Sequence, residues 1–410
     1  MRDMKRNRCG LAAVAVAAAL LIGNSSSASA DASFQNWVKS FYAVAAKSGI
    51  SRQTYNAVFA GITAPDPKVL ERANYQPEFT SETWDYIDAR VTKFTVERGR
   101  ELRRKYARWL DLIESRYGVD RDVLLAIWSI ETIYGDYLER PEAVHHIGQA
   151  LATLAYADRR RAKYARQQLI AALKIVQNGD IGPKDLVGSW AGAMGHTQFI
   201  PTSYQAWAVD IDGNGRRDVW NSVPDALASA ANLLKRNGWV PGETWGYEVR
   251  LPRGFKVKLA NDDGYKIRDF ERMGVTRPNG RPFGNRGSGA VLKLFEGPNG
   301  PAFLMMRNFY VLKRYNNSDK YALTVGHLAD RIAGGGPFYQ KWPRPYQPLD
   351  EDERVELQKR LQSLGFYDGK IDGNIGSGSK AAIVAFQRRA GMETDGFPSQ
   401  KVLARLRLGL

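Results

Sequence analysis

The chain has 410 residues, with 59 Lys+Arg against 43 Asp+Glu, a formal net charge of +16, one Cys and four His. A hydrophobic share of 44% and a charged share of 25% exclude wholesale disorder and leave enough apolar surface for two or three domains with cores. One Cys excludes a disulfide framework and a Cys-based zinc site, and four His leave little room for a His-rich metal centre.

The first 30 residues read as an export signal. Arg2, Lys5, Arg6 and Arg8 precede an apolar run from Leu11 to Ile22, which is too short to span a bilayer. Ala28-Ser29-Ala30 fits a small-x-small cleavage site, with Asp31 as the new N-terminus. Cys9 lies before the apolar run, not after it, so no lipid anchor is expected. Cleavage removes four basic groups and one acidic group and leaves +13. The expected product is secreted and unlipidated. A basic exported protein needs an anionic surface, and lipid headgroups or wall carboxylates fit that need better than nucleic acid.

Residues 31 to about 240 read as mostly helical. Phe34, Trp37, Val38, Phe41 and Tyr42 share one helix face. Arg98 to Leu112 predicts one amphipathic helix with a solvated basic side. Asp120 is a candidate N-cap for a helix from Arg121 to Tyr134, with Gly135 as its stop. Glu131 shares the face of Val123, Ile127 and Trp128 on that helix. Desolvation there would raise its pKa, as a general acid requires; a structural Glu paired with an Arg fits the same spacing equally well. Further helices are expected over Ala162–Val176, stopped by Asn178-Gly179, and Asp225–Arg236, stopped near Asn237-Gly238.

Between them, the stretch from Ser189 to Tyr204 is rich in Gly, Ala and aromatic residues. Small residues admit close backbone approach, and aromatic and amide groups suit the faces and edges of sugar rings. His196 in this stretch is read as a packing residue. Asp210-Ile211-Asp212-Gly213-Asn214-Gly215 then follows the spacing of a Ca²⁺ loop, with Asp210, Asp212 and Asn214 as oxygen donors and Arg216 at position seven. Position twelve is Asn221 instead of a bidentate Glu, so binding is expected to be weak or closed by a later carboxylate such as Asp225. A turn without metal is the alternative. Any such Ca²⁺ is structural.

From about 245 to 305 short strand-like runs (Tyr247–Leu251, Phe255–Leu259, Ala290–Phe295) alternate with turn residues and predict a small β-rich subdomain. A helical pattern returns over Asn308–Ile332. Closely spaced prolines mark 341–350 as a linker. Residues 351–410 then predict a three-helix module with Asp372-Gly373 and Asp395-Gly396 turns.

Three groups of residues carry a family resemblance. They are Ile127-Trp128-Ser129-Ile130-Glu131-Thr132; Ala191 to Gly195 leading to Gln198-Phe199-Ile200-Pro201; and Arg307-Asn308-Phe309 through Arg314-Tyr315-Asn316 to Tyr321-Ala322. Together with Val209-Asp210 to Trp220 they resemble the lytic murein transglycosylase B family, in order, over about residues 33–335. The last sixty residues resemble the small peptidoglycan-binding domain. The resemblance implies a mainly α (α+β), lysozyme-like catalytic domain over 31–340 and a wall-binding module over 351–410. It implies that Glu131 is the single catalytic acid, and that Ser189, Gln198, Tyr315, Asn316 and Tyr321 bind sugar near the cleaved bond. Arg160 and Arg161 match a groove-lining pair, although their charge run also fits a solvated helix face. Asp225 is implied as the closing ligand of the metal loop. His196-Thr197 departs from the commoner family pattern. The implied reaction cleaves between N-acetylmuramic acid and N-acetylglucosamine, consumes no water and needs no cofactor. A water-using muramidase and a non-catalytic wall-binding scaffold are the alternatives. A monomer acting on glycan strands is expected, with no nucleic-acid partner and no membrane span after cleavage.

Overall fold

A computed structural model describes residues 32–74, 82–141 and 143–409; the expected signal lies outside them. The described residues form two compact units, one from 32–74, 140–141 and 143–206, the other from 82–139 and 207–409.

In the first unit a helix over 32–47 is followed by Arg52–Phe59, Pro67–Asn74, Ile147–Ala157 and Ala162–Gln177. The Ile147–Ala157 helix is almost wholly apolar and buried from Ile147 to Ala155 except at Gln149, so it serves as the central helix. Val69, Ala73, Ala150, Leu154, Ala155 and Ala165 close one core, with Trp37 and Trp190 packed against it. Asn178 and Gly179 stop the Ala162–Gln177 helix where the sequence places the stop, Gly179 taking a φ of +80°.

The second unit is built around the Arg121–Thr132 helix. Asp120 caps it by accepting from the amides of Asp122 and Val123. It packs against Lys93–Lys105 and Asp319–Ile332. The single helix expected over Arg98–Leu112 is broken at Tyr106 into Lys93–Lys105 and Ala107–Tyr117. Its basic side is not merely solvated. The Arg100 guanidinium donates to the carbonyls of Arg331 (2.7 Å) and Ile332 (3.3 Å), capping the end of the Asp319–Ile332 helix, and Arg103 pairs with Asp122 at 2.9 Å. The pattern expected over Asn308–Ile332 likewise resolves into two helices, Arg307–Tyr315 and Asp319–Ile332, and Ser318 caps the second.

The strand-rich stretch holds a three-stranded antiparallel sheet in the order Gly246–Val249, Ala302–Met305, Val291–Leu294. Tyr247 and Leu292 both face Leu304 across it. The central strand was missed by periodicity because all four of its residues are buried, which erases the alternation. Phe255–Leu259, expected as a strand, ends in a 3-10 turn over Val257–Leu259, and none of the turn's residues is buried.

The last residues form helices Glu351–Ser363, Ser377–Arg389 and Gln400–Arg407 around Leu357, Leu361, Ile383, Phe386 and Leu403. Two buried glutamines hold its turns. The Gln358 side-chain carbonyl accepts from the amides of Asp372 and Gly373, and that of Gln387 accepts from Gly396. Each Asp-Gly turn is thus tied to a helix by a satisfied buried amide, which gives rigidity without a disulfide.

Gly326, in the Asp319–Ile332 helix, lies against Trp245, whose indole N–H donates to Asp330 at 3.1 Å. A Cβ at Gly326 would come within 2.4 Å of the indole ring. Gly326→Ala should therefore destabilise the chain by about 1–3 kcal/mol despite the better helix propensity of Ala, read as a lower urea midpoint.

Candidate active site

Glu131 stands in the last turn of the Arg121–Thr132 helix, one turn beyond the fully buried Ile127 and the nearly buried Trp128. It is half-buried, on the apolar face that the sequence spacing indicates. The helix ends at Thr132, two residues short of the expected Tyr134. Ile133 (φ +53°) and Tyr134 (φ +59°) both adopt the left-handed conformation, followed by Gly135 (φ +99°). A β-branched residue in that region is strained, and here the strain sits two residues from the acid. Tyr134 is what holds it. Its ring meets Trp128 edge-on at 5.5 Å, and its hydroxyl donates to the Thr95 carbonyl at 2.7 Å. Gly99 leaves the room for it, since a Cβ there would lie 2.6 Å from the Tyr134 oxygen.

The Tyr321 hydroxyl donates to Glu131 Oε1 at 2.6 Å. Tyr321 is in the first turn of the Asp319–Ile332 helix and is 1% exposed. Burial, reinforced by the Glu131 carboxylate, pushes its phenol well above 10, so the hydroxyl stays protonated and remains a donor. The Tyr315 ring lies parallel to that of Tyr321, with centroids 6.4 Å apart. Tyr86, from the short Thr83–Asp88 helix, also opposes ionisation of Tyr321, and an Arg90 guanidinium sits 3.6 Å over its ring. Tyr86 escaped the sequence reading because no local pattern ties it to a segment more than two hundred residues away. The structure therefore brings together Glu131, Tyr315 and Tyr321. Asn316 follows directly as the C-cap of Arg307–Tyr315, with an exposed side chain. The acids nearest in sequence, Asp136 and Glu139, lie on a 3-10 turn with no buried residue.

Ser189, Gln198, Arg160 and Arg161 belong to the first unit. The small-residue stretch folds into a tight double turn. Met194 and Phe199 exchange backbone hydrogen bonds of 2.9 and 3.0 Å, and Ser189 Oγ accepts from Ala193 N at 3.0 Å. Gln198 is left-handed (φ +50°), and its side-chain amide donates to the Gly195 carbonyl. Gly188 is required here, because a Cβ would strike the Ala193 carbonyl at 2.2 Å. The two arginines differ. Arg161 is 24% exposed, pairs with Asp158 at 2.5 Å and lies over the Trp190 ring, whereas the Arg160 side chain is 71% exposed.

The acidic loop gathers a carboxylate oxygen from each of Asp210, Asp212 and Asp225 within 4.8 Å of one another. Asp210 accepts from the amides of Gly213 and Gly215, Asp212 from Asn214, and Asn214 from Arg216, so the backbone wraps around the three donors. Asp225 is fully buried, and burial pushes its carboxyl up to about 6 although both oxygens accept backbone amides. Asn221, at position twelve, instead donates to Asp218. Three converging hard oxygen donors fit a Ca²⁺-sized cation.

Comparison with known proteins gives the family. The Transglycosylase SLT domain family matches residues 33–330, and a peptidoglycan binding domain family matches 350–406. SltB3 from Pseudomonas aeruginosa, solved in complex with NAG-anhNAM-pentapeptide, is 44% identical, with a TM-score of 0.72 over 91% of this chain and 99% of that one. The Escherichia coli lytic transglycosylase Slt35, solved in complex with calcium, is 28% identical, with a TM-score of 0.60 over 73% of this chain and 92% of that one. Membrane-bound lytic murein transglycosylase B of Escherichia coli is 34% identical over 248 residues, 59% of this chain and 65% of that protein's length. The fold is accordingly the mainly helical, lysozyme-like α+β fold of lytic transglycosylases with a helical wall-binding module appended, and the chain belongs to the Transglycosylase SLT domain family.

Proposed function

We propose that this protein is a peptidoglycan lytic transglycosylase in which Glu131 serves first as acid and then as base. The observation that carries this reading is the Glu131–Tyr321 contact, in a family defined by this chemistry. Glu131 gives its proton to the glycosidic oxygen between N-acetylmuramic acid and N-acetylglucosamine, and the bond from C1 to that oxygen breaks. The carboxylate then takes the proton of the muramic acid 6-hydroxyl, whose oxygen closes on C1. The products are a 1,6-anhydromuramoyl end and a free N-acetylglucosamine end, with Glu131 reprotonated and no water used. Hydrolytic glycosidases commonly place two carboxylates about the bond. An intramolecular hydroxyl removes the need for the second, because proximity replaces the activated water. The NAG-anhNAM ligand of the 44% identical SltB3 supports this outcome.

The environment of Glu131 suits both roles. Its carboxyl stands in the last turn of its helix and accepts from the Tyr321 hydroxyl, which holds it in place for both transfers. In this reading Ser189, Gln198, Tyr315, Asn316 and Tyr321 hold the sugars, Arg160 and Arg161 meet muropeptide carboxylates, and the C-terminal module raises the local concentration on an insoluble wall. Residues 1–30 act as the export signal, 31–340 form the catalytic domain with its β-rich part at about 245–305, 341–350 the linker and 351–410 the wall-binding module. The protein works in the periplasm as a monomer. Among the described residues no helix is long and apolar enough to cross a membrane.

Asp210, Asp212, Asn214 and Asp225, with the backbone at Arg216, hold a structural Ca²⁺. The calcium-bound Slt35 supports this assignment.

Glu131→Gln should lower lysis of purified sacculi by at least about 10³-fold while leaving the melting temperature within about a degree, since one carboxylate serves both proton transfers. Mass spectrometry of wild-type products should show anhydro ends; reducing ends would turn the reading into a muramidase, and full activity of the variant would remove Glu131 from the mechanism. Tyr321→Phe removes one hydrogen bond to a charged group, worth about 1.5–3 kcal/mol, so kcat should fall by about 10- to 100-fold with the anhydro product unchanged. Chelator-stripped protein should melt a few degrees higher in millimolar Ca²⁺, by mass action on the folded state, and Asp225→Asn should lose most of that rise. An unchanged melting curve for the wild type would count against the ion.

A further inference from the structure

A cavity of about 690 Å³ opens beside the sheet, lined by Glu243, Asp263, Ser288, Lys293, Arg307 and Tyr310 over an apolar floor that includes Met305 and Met306. Its size is that of a small-ligand site. Its two acids are not paired with its two bases among the described residues. Glu243 Oε1 accepts from the Ser288 hydroxyl at 2.7 Å, but Oε2 is buried and has no hydrogen-bond partner among the described residues. Such an atom costs about 1–3 kcal/mol if nothing meets it, and more when charged. Asp263, on an exposed loop, has no cationic partner among the described residues. In a chain of net charge +16, two acids without a basic partner in one cavity are a departure from the general charge. On the cationic side, Lys293 shares Asp319 with Lys313, at 2.8 and 2.6 Å, so the single carboxylate is already committed to two ammonium groups. Arg307 donates to the Gly238 carbonyl and carries no ion pair among the described residues. Burial pushes the Tyr310 phenol up to about 12, so its hydroxyl is a donor at working pH.

We propose that this cavity binds a zwitterionic amino-acid group, with the ammonium received by Glu243 and Asp263 and the carboxylate by Arg307 and Tyr310. An ammonium alone would leave Arg307 unmatched, and a carboxylate alone would leave Glu243 Oε2 bare. On the proposed wall substrate this chemistry occurs at the free end of a stem peptide whose diamino acid carries an ammonium and a carboxylate on one carbon. The identity of the source rests on that substrate reading; the zwitterion preference does not.

The test is calorimetry on the full chain with three probes: the tripeptide L-Ala-γ-D-Glu-meso-diaminopimelate, its counterpart with lysine as the third residue, and the first peptide acetylated on its free side-chain amine. The diaminopimelate peptide should bind. Acetylation and Glu243→Gln should each weaken it by about tenfold or more, and the lysine peptide, which lacks the side-chain carboxylate, should lose a similar factor that Arg307→Gln equalises between the two peptides. Asp263→Asn, on the exposed loop, gives the same reading if the Glu243 variant is poorly folded. Free diaminopimelate binding as tightly as the peptide would support the zwitterion site and assign it to free amino acids. Equal binding of acetylated and free peptides, or no measurable binding of any probe, would overturn the proposal. Because binding is read without turnover, a lytically inactive chain that still binds the peptide would sink the catalytic reading and leave this one standing.

Discussion

A single hydrogen bond, from Tyr321 to Glu131, joins side chains 190 positions apart in sequence. It requires two helices packed at a fixed register, because a rotation of either by one residue would carry its side chain off the shared face. The Asp120 cap fixes where one helix starts and the Ser318 cap fixes the other. Gly326 lets the second helix lie against Trp245, and Arg100 ties its far end to the Lys93–Lys105 helix. Much of the second unit can be read as the scaffold that holds one phenol against one carboxylate.

The end of the acid-bearing helix shows how local preference yields to packing. Ile133 and Tyr134 are poor residues for a left-handed turn. They hold it because Tyr134 gains a ring contact with Trp128 and a hydrogen bond to Thr95, both from within the packed body. The turn ends the helix directly after Glu131 and Thr132, leaving the carboxylate in the last turn, where the carbonyl dipoles act on it most strongly. Backbone strain and the half-buried Glu131 carboxylate therefore lie within the same four residues.

Elsewhere several buried polar side chains each meet more than one partner. Gln358 and Gln387 each close an Asp-Gly turn, Asp225 takes two amides while facing two other carboxylates, and Asn308 binds three backbone groups at once. Glu243 Oε2, at the cavity beside the sheet, is among the buried polar atoms, with Trp84 Nε1 and Asn374 Oδ1, that have no hydrogen-bond partner among the described residues.

Much was legible in the amino acids alone. Caps and stops such as Asp120, Asn178-Gly179 and Asn237-Gly238 act through their own side chain or their own φ, so they mark helix ends without help from distant residues. The face of Glu131, the acidic loop spacing and the three C-terminal helices are likewise local periodicities. What sequence could not reveal was every feature set by a distant partner. The central strand Ala302–Met305 has no alternation because both its faces are covered. The break at Tyr106 and the inward turn of Arg100 follow from what packs beside them. The contact of Tyr321 with Glu131, and the placing of Tyr315 and Tyr86 beside Tyr321, arise only when three remote segments meet. Short-range spacing determines which residue types share a face; tertiary packing alone decides which faces meet, because the free energy of burial belongs to the contact and not to either segment.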